Sequence, residues 1–139
     1  MTNMTPVTRE TIEKAPYPNL LGLRLVELAQ DYAKVTVSIR PDHANFLGTT
    51  DGALVVSLAD YSLASASNGS GQTRVGVQSN INFIAATPLE GELTAEARPV
   101  HIGRTLSVFE ARVTDVTGKI VAKATSTVMS RPDKSSSSK

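Results

Sequence analysis

Between Tyr32 and Arg40 polar and apolar residues alternate strictly. Tyr32, Lys34, Thr36, Ser38 and Arg40 fall on one side, and Ala33, Val35, Val37 and Ile39 on the other. A period of two predicts a strand with one buried face. Gln30-Asp31 makes a tight turn into it from an earlier strand, Gly22 to Ala29, so the two form a hairpin. The pattern then changes over His43 to Asn68, HANFLGTTDGALVVSLADYSLASASN. A polar, glycine-containing loop leads at Asp51-Gly52 into a segment apolar on nearly every side, which predicts a long buried helix. Gly69 to Gln72 stops that helix. Val75, Val77, Ser79, Ile81 and Phe83 then share one face of a third strand, closed by Thr87-Pro88. Leu93 to Pro99 alternates again, Leu106 to Thr114 shows a mixed pattern that suits a bulge, and Lys119 to Met129 places Ile120, Ala122, Ala124, Ser126 and Val128 on one face. Turns at Ile102-Gly103 and Thr117-Gly118 are short, so these three strands form an antiparallel meander.

Ahead of the hairpin, Thr5-Pro6 resembles an N-cap followed by proline at the first helical position, and Val7 and Ile12 give a short amphipathic helix ended by Pro16 and Pro18. The order is thus helix, two strands, long helix, four strands. One antiparallel sheet of five or six strands covering one helix, an α+β architecture, satisfies it most economically. There is no internal repeat, and strands do not alternate with helices as a nucleotide-binding α/β unit requires. Such a sheet leaves edge strands, and pairing two copies edge to edge would cover them, which predicts a homodimer.

A chain of 139 residues is one domain's length. It divides into a domain over residues 1–130 and a Ser-rich tail over 131–139 expected to be disordered. A net charge of +1 with scattered basic residues gives no electrostatic case for nucleic acid. The absence of cysteine removes disulfides, thiolate nucleophiles and Cys metal sites together. No secretory start and no apolar run of membrane-spanning length is present, so the expected location is the cytoplasm.

The candidate chemistry lies in the long helix. Asp51 sits at its N-cap, with Gly52 and Ala53 small enough to let another group approach the free backbone N–H donors. The simpler reading is a cap that binds nothing. Asp60 lies among Leu58, Ala59, Tyr61, Leu63 and Ala64, a setting that disfavours ionisation. It is either an acid satisfied by its neighbours, Ser57 among them, or a functional carboxylate. Nine positions, about two and a half turns, separate Asp51 from Asp60, so within one chain they point to opposite sides of the helix. His43 and His101 show no metal-ligand spacing, and no helix serine sits in a GxSxG turn. Arg74, Arg104, Lys119 and Lys123 fall at strand ends or on exposed faces.

Asn45, Gly48, Gly52, Leu58-Ala59-Asp60 and Asn68, with Ile81-Asn82-Phe83, Pro88, Gly91-Glu92-Leu93 and Gly103-Arg104 further on, keep a characteristic spacing. This set resembles the hotdog-fold thioesterases of the phenylacetate-degradation type over residues 16–130. The resemblance implies an antiparallel sheet wrapped around a central helix, homodimers or dimers of dimers, an acyl-CoA substrate and no cofactor. It implies a site across the dimer interface, with Asp60 as nucleophile or base, the partner's helix start at Gly52 polarising the thioester carbonyl, and Asn45 orienting water or thioester. Leu54, Val55 and Leu58 are expected to line the acyl pocket, and Arg104 to contact the substrate. Two departures stand out. The family's His-Gly-Gly is Asp51-Gly52-Ala53, which puts a carboxylate beside the oxyanion donors and near the partner's Asp60. The third-strand Ser or Thr of many relatives is expected at Gly76 or Val77, which carry no hydroxyl. A catalytically impaired acyl-CoA-binding relative is the alternative reading, and dehydratase chemistry is disfavoured because the helix lacks a placed histidine.

Overall fold

The structure, a computed structural model, describes residues 7–131. Six antiparallel strands form one sheet in the order β1-β2-β4-β5-β6-β3. The strands are β1 (Leu23–Ala29), β2 (Tyr32–Ser38), β3 (Thr73–Phe83), β4 (Glu92–His101), β5 (Leu106–Thr114) and β6 (Ile120–Arg131). The hairpin β1–β2 and the meander β4–β5–β6 follow the alternation in the sequence. The helix α3 (Gly52–Ser67) connects β2 to β3, carries the chain from one side of the sheet to the other, and packs mainly on β4, β2 and β5. The sheet therefore wraps the helix and leaves β1 and β3 as its edges.

The core is the inward face of that alternation. Ala33, Val35 and Val37 of β2 meet Leu93, Ala95 and Ala97 of β4, with Phe109, Ala111 and Val113 of β5 beyond, all closed from solvent. From α3, Val55 and Leu58 are fully buried against this layer and Leu54 almost so. Burying each such side chain contributes roughly 1.5–3 kcal/mol, so α3 is held by packing more than by its own propensity.

The N-terminal segment differs from the sequence expectation. Thr5-Pro6 lies outside the described residues, and helix α1 (Arg9–Glu13) begins at Thr8, whose side chain caps Thr11 N–H in a reciprocal box. Pro16 and Pro18 do not end a helix; they open a second, α2 (Pro16–Leu21). Proline fits a first helical turn because the missing N–H would have had no partner there. Gly22, at φ 82°, closes α2 in the left-handed conformation and turns the chain into β1. The bulge expected in β5 is corrected: β5 itself carries no extra residue. At its last pairs, Val113 and Thr114, the register shifts because Val121 of β6 is the bulged residue, and further bulges fall at Val26 of β1, Val77 of β3 and Val100 of β4. The Ser-rich tail beyond Arg131 lies outside the described residues.

Two polar clamps fix the ends of α3. At its start, His43 is buried in the 3-10 turn Pro41–His43, where Nδ1 accepts the Arg40 N–H (2.9 Å) and Nε2 lies 2.9 Å from the Leu21 carbonyl, as an Nε2–H donor. His43 thus ties the approach to α3 onto α2. At its end, Asn68 Oδ1 accepts the Arg74 N–H (3.0 Å), while Nδ2 donates to the carbonyls of Ala64 (2.9 Å) and Arg74 (3.1 Å). The signature asparagine is accordingly a hinge pin between α3 and β3. Arg74 is not a solvated strand-end cation: it is buried, pairs with Asp31 at 3.1 Å, and donates to the Ser67 carbonyl at 3.0 Å.

Candidate active site

Helix α3 is not enclosed on all sides. Ala53, Val56, Asp60 and Ala64, spaced three and four residues apart, make an open stripe, and Asp60 stands on it. The expectation of an acid shut inside the core is corrected: the sheet covers the face with Val55 and Leu58, leaving Asp60 on the face turned away from it. Val56, Asp60 and Ala64 of this stripe floor a groove of about 680 Å³. Its second wall is β3, through Ser79, Asn80 and Ile81, and its third comes from α1 and α2, through Thr11, Ile12, Ala15 and Tyr17. Most of the lining is apolar, and Asp60 is its only carboxylate among the described residues. Loss of water to these neighbours raises the Asp60 pKa above the ordinary aspartate value.

The third wall is tied to the helix carrying the acid. Tyr61, next to Asp60, turns inward and donates its hydroxyl to the Ile12 carbonyl at 2.8 Å. Burial, reinforced by the charge of Glu13, raises the phenol pKa, so Tyr61 remains a donor.

The pocket residues expected from the sequence are corrected by this geometry. Val55 and Leu58 occupy the core and Leu54 lines only a smaller recess of about 170 Å³ at the helix start; Val56, Ala59, Leu63 and Ala64 are the α3 residues beside Asp60. A helix apolar all round gives no phase from which to choose a face, and the sheet chooses it. Arg104 lies exposed in the β4–β5 turn and does not line the groove. On β3 the bulge at Val77 resets the alternation, and beyond it the hydroxyl that reaches the groove is Ser79, bonded to Ser126 Oγ at 2.9 Å. The sequence reading passed over Ser79 and Asn80. The signal for Ser79 was a polar residue in an apolar register of Val75, Val77, Ile81 and Phe83.

At the helix start, Asp51 is the N-cap and its Oδ1 accepts the Ala53 N–H at 2.8 Å. The Leu54 N–H is taken by the Asp51 carbonyl (3.0 Å), which leaves the Gly52 N–H without an acceptor among the described residues. Asn45 organises the loop before it. Its Oδ1 accepts from the N–H groups of Leu47 (2.9 Å) and Thr49 (3.1 Å), and its Nδ2 meets Thr49 Oγ1 (2.9 Å). Gly52 and Asp60 are eight residues apart, about 12 Å along the helix axis. One thioester cannot touch both within a single chain.

The model of the thioesterase superfamily matches residues 47–122, the stretch carrying α3 with its Asp60, β3, β4, β5 and the start of β6. The chain belongs to the thioesterase superfamily. Its sheet wrapped around one helix is the hotdog arrangement, of the kind found in the phenylacetate-degradation members. A putative esterase of Archaeoglobus fulgidus is 34% identical over 110 residues, 78% of this chain and 71% of that protein. The phenylacetic acid degradation protein PaaI of Thermus thermophilus, solved as a mutant, superimposes with a TM-score of 0.78 at 31% identity, covering 82% of this chain and 97% of that one. A hypothetical thioesterase of Streptococcus pneumoniae, solved with coenzyme A, superimposes with a TM-score of 0.75 at 27% identity over 80% of this chain and 87% of that one. The superfamily member described here also has no helix long and apolar enough to cross a membrane among its described residues.

Proposed function

We propose that the protein hydrolyses acyl-CoA thioesters to the free acid and CoA, in a homodimer whose two sites each take Asp60 from one subunit and the Gly52 N–H from the other. The observation that carries this is the placement of one carboxylate with a raised pKa in a mostly apolar groove, with an unpartnered helix N-terminal donor too distant to serve it from the same chain. Relatives that act on CoA thioesters by their names, and a neighbour solved with coenzyme A, support the substrate class. Pairing of the β3 edges in antiparallel fashion would run one subunit's α3 start toward the other's Asp60.

In the reaction the ionised Asp60 takes a proton from water as its oxygen adds to the thioester carbonyl, or adds to that carbon itself. The oxyanion so formed accepts from the partner's Gly52 N–H, reinforced by the helix dipole. Collapse expels the CoA thiolate, which in the base variant takes the proton held by Asp60 and in the nucleophilic variant takes one from water. In the nucleophilic variant water then cleaves the Asp60 anhydride. Asn45, with its oxygen spent on its own loop, retains an amide N–H for the thioester or water. Arg104, exposed and in no ion pair among the described residues, is available to a CoA phosphate.

Asp51 favours the second reading, a binding protein with weak chemistry, because an anion beside Gly52 opposes the oxyanion. Thiol release from a panel of aryl and aliphatic acyl-CoAs decides between them. Hydrolysis by the wild type that Asp60→Ala lacks supports the enzyme; equal release by both at every pH rejects it. On this account Asp51→His increases kcat by about tenfold, since removing one charge near the oxyanion changes the barrier by about 1–2 kcal/mol. A decrease would assign Asp51 an active part in the reaction.

A further inference from the structure

The loop before α3 carries two adjacent apolar side chains into solvent: Phe46 is 97% exposed and Leu47 74%. Nothing else in the described chain presents an aromatic ring so completely. The loop beneath is fixed. Asn45 Oδ1 accepts from Leu47 and Thr49, the Asn45 N–H donates to the Thr49 carbonyl at 2.8 Å, and the Gly48 N–H donates to the Asn45 carbonyl at 3.0 Å. Gly48 holds φ 80°, a turn that a side chain would strain. The base is then closed by the Ala44–Thr50 bridge and by the Asp51 N–H on the His43 carbonyl at 2.9 Å. A solvent loop has no need of an exposed phenyl ring on a rigid support, whereas a prong that enters another surface does, because ordering it beforehand removes the entropy cost of docking.

Exposed apolar groups elsewhere on the described surface supply what it fits. Val56 on the open stripe of α3, Val77 on the β3 edge, and Phe83 and Ile84 at its end are all substantially exposed, and the groove beside Asp60 is walled chiefly by apolar groups. Phe46 is six residues from Gly52 and rigidly joined to it, so any arrangement that brings Gly52 to a second copy's Asp60 brings Phe46 with it.

We propose that Phe46 enters the groove of a second copy of this chain and forms part of the wall against which that copy's acyl group packs, making it a specificity residue supplied in trans. The proposal rests on the cross-subunit reading above. It adds that selectivity for the acyl group, as well as the oxyanion donor, travels on the partner's loop.

The sequence contains no tryptophan, so Phe46→Trp introduces a single indole at the tip of the prong. In the sedimenting dimer its emission is blue-shifted from that of a solvated indole, and the shift is lost on dilution to monomer. In the Asp60→Asn background, which does not consume the ligand, adding benzoyl- or octanoyl-CoA changes the emission, while CoA alone does not. Phe46→Ala raises KM for those two substrates by roughly ten- to hundredfold, the effect of withdrawing one buried phenyl, and leaves that for acetyl-CoA nearly unchanged. Solvated emission in a demonstrated dimer, a protein monomeric at all concentrations, or equal KM changes for all three substrates would overturn the proposal. The functional reading is judged separately: if Asp60→Asn hydrolyses as fast as wild type, that reading fails; if Asp60→Asn is inactive and the indole stays solvated, only the role of Phe46 fails.

Discussion

Asp60→Asn should lower kcat for acyl-CoA hydrolysis by about a thousandfold, within the range general base catalysis contributes, and should at the same time make the folded protein more stable at neutral pH. The two effects have one cause. Apolar neighbours in the groove hold the Asp60 pKa above its ordinary value, so the folded state binds a proton at this carboxyl more tightly than the unfolded chain does. Stability from this group is fully present below the unfolded pKa of about 4, and is lost as pH rises through the higher folded pKa. At neutral pH the wild type therefore carries the cost of an ionised, partly desolvated acid, and asparagine removes it. Thermal melts at pH 7 should show the variant above wild type, and the gap should close near pH 4 and below. Activity follows the opposite sign: only the ionised form works, so the wild-type rate rises through the raised pKa to a plateau. A variant with wild-type rate, or one less stable at pH 7, would show that Asp60 is a satisfied structural acid.

The largest loss of stability is expected at Arg74→Met. The Arg74 side chain is 4% exposed and pairs with Asp31, itself 18% exposed, at 3.1 Å. Its guanidinium also donates to the Ser67 carbonyl, at the negative end of the α3 dipole, and lies 5.8 Å from the centre of the Phe109 ring. Methionine fills much of the volume but leaves Asp31 without its cation and Ser67 without its donor. Removing one partner of a buried pair costs about 3–5 kcal/mol; the partial exposure of Asp31 argues for the lower figure, a fall in Tm of roughly 10 °C for a domain this size. Asp31 adopts φ 58°, which asparagine tolerates. Adding Asp31→Asn should therefore recover a good part of the loss, and the double-mutant cycle measures the coupling. No coupling would mean that Arg74 acts through packing alone.

Much of the fold could be read from residue order because inward residues alternate through β2, over Leu93 to Ala97 of β4 and over Ala122 to Val128 of β6, and the turns are short. The misreadings have local causes. Pro16 and Pro18 looked like terminators, but proline is equally at home opening a helix, and only Gly22 marks where α2 stops. In β3 the bulge at Val77 resets the alternation, an insertion that the pattern of residue types does not announce. The site divides the same way. Asp60 drew attention as the one acid in an apolar helix, and the spacing of Asp51 and Asp60 already precluded an intrachain pair. Which α3 residues flank it was hidden, because a helix apolar on every side has no preferred face until the sheet supplies one. Arg74 and Asn68 were invisible as clamps, since their partners, Asp31 and the Ala64 carbonyl, are set by the crossing from α3 to β3.

The central claim is that one subunit's Asp60 works with the other's Gly52. Gly52 is the first helical residue, where proline is well accepted and removes the N–H at issue, its added Cβ meeting the Phe83 ring at 3.4 Å, in van der Waals contact. Asp51, at φ −64° and ψ 132°, already has the conformation a following proline requires. Gly52→Pro and Asp60→Asn should each be inactive as homodimers. Unfolded and refolded together in equal amounts, they should regain about a quarter of wild-type activity, because half the dimers are hybrids and each hybrid holds one intact site. If the mixture remains as inactive as its components while hybrids are shown to form, the two residues do not act across the interface.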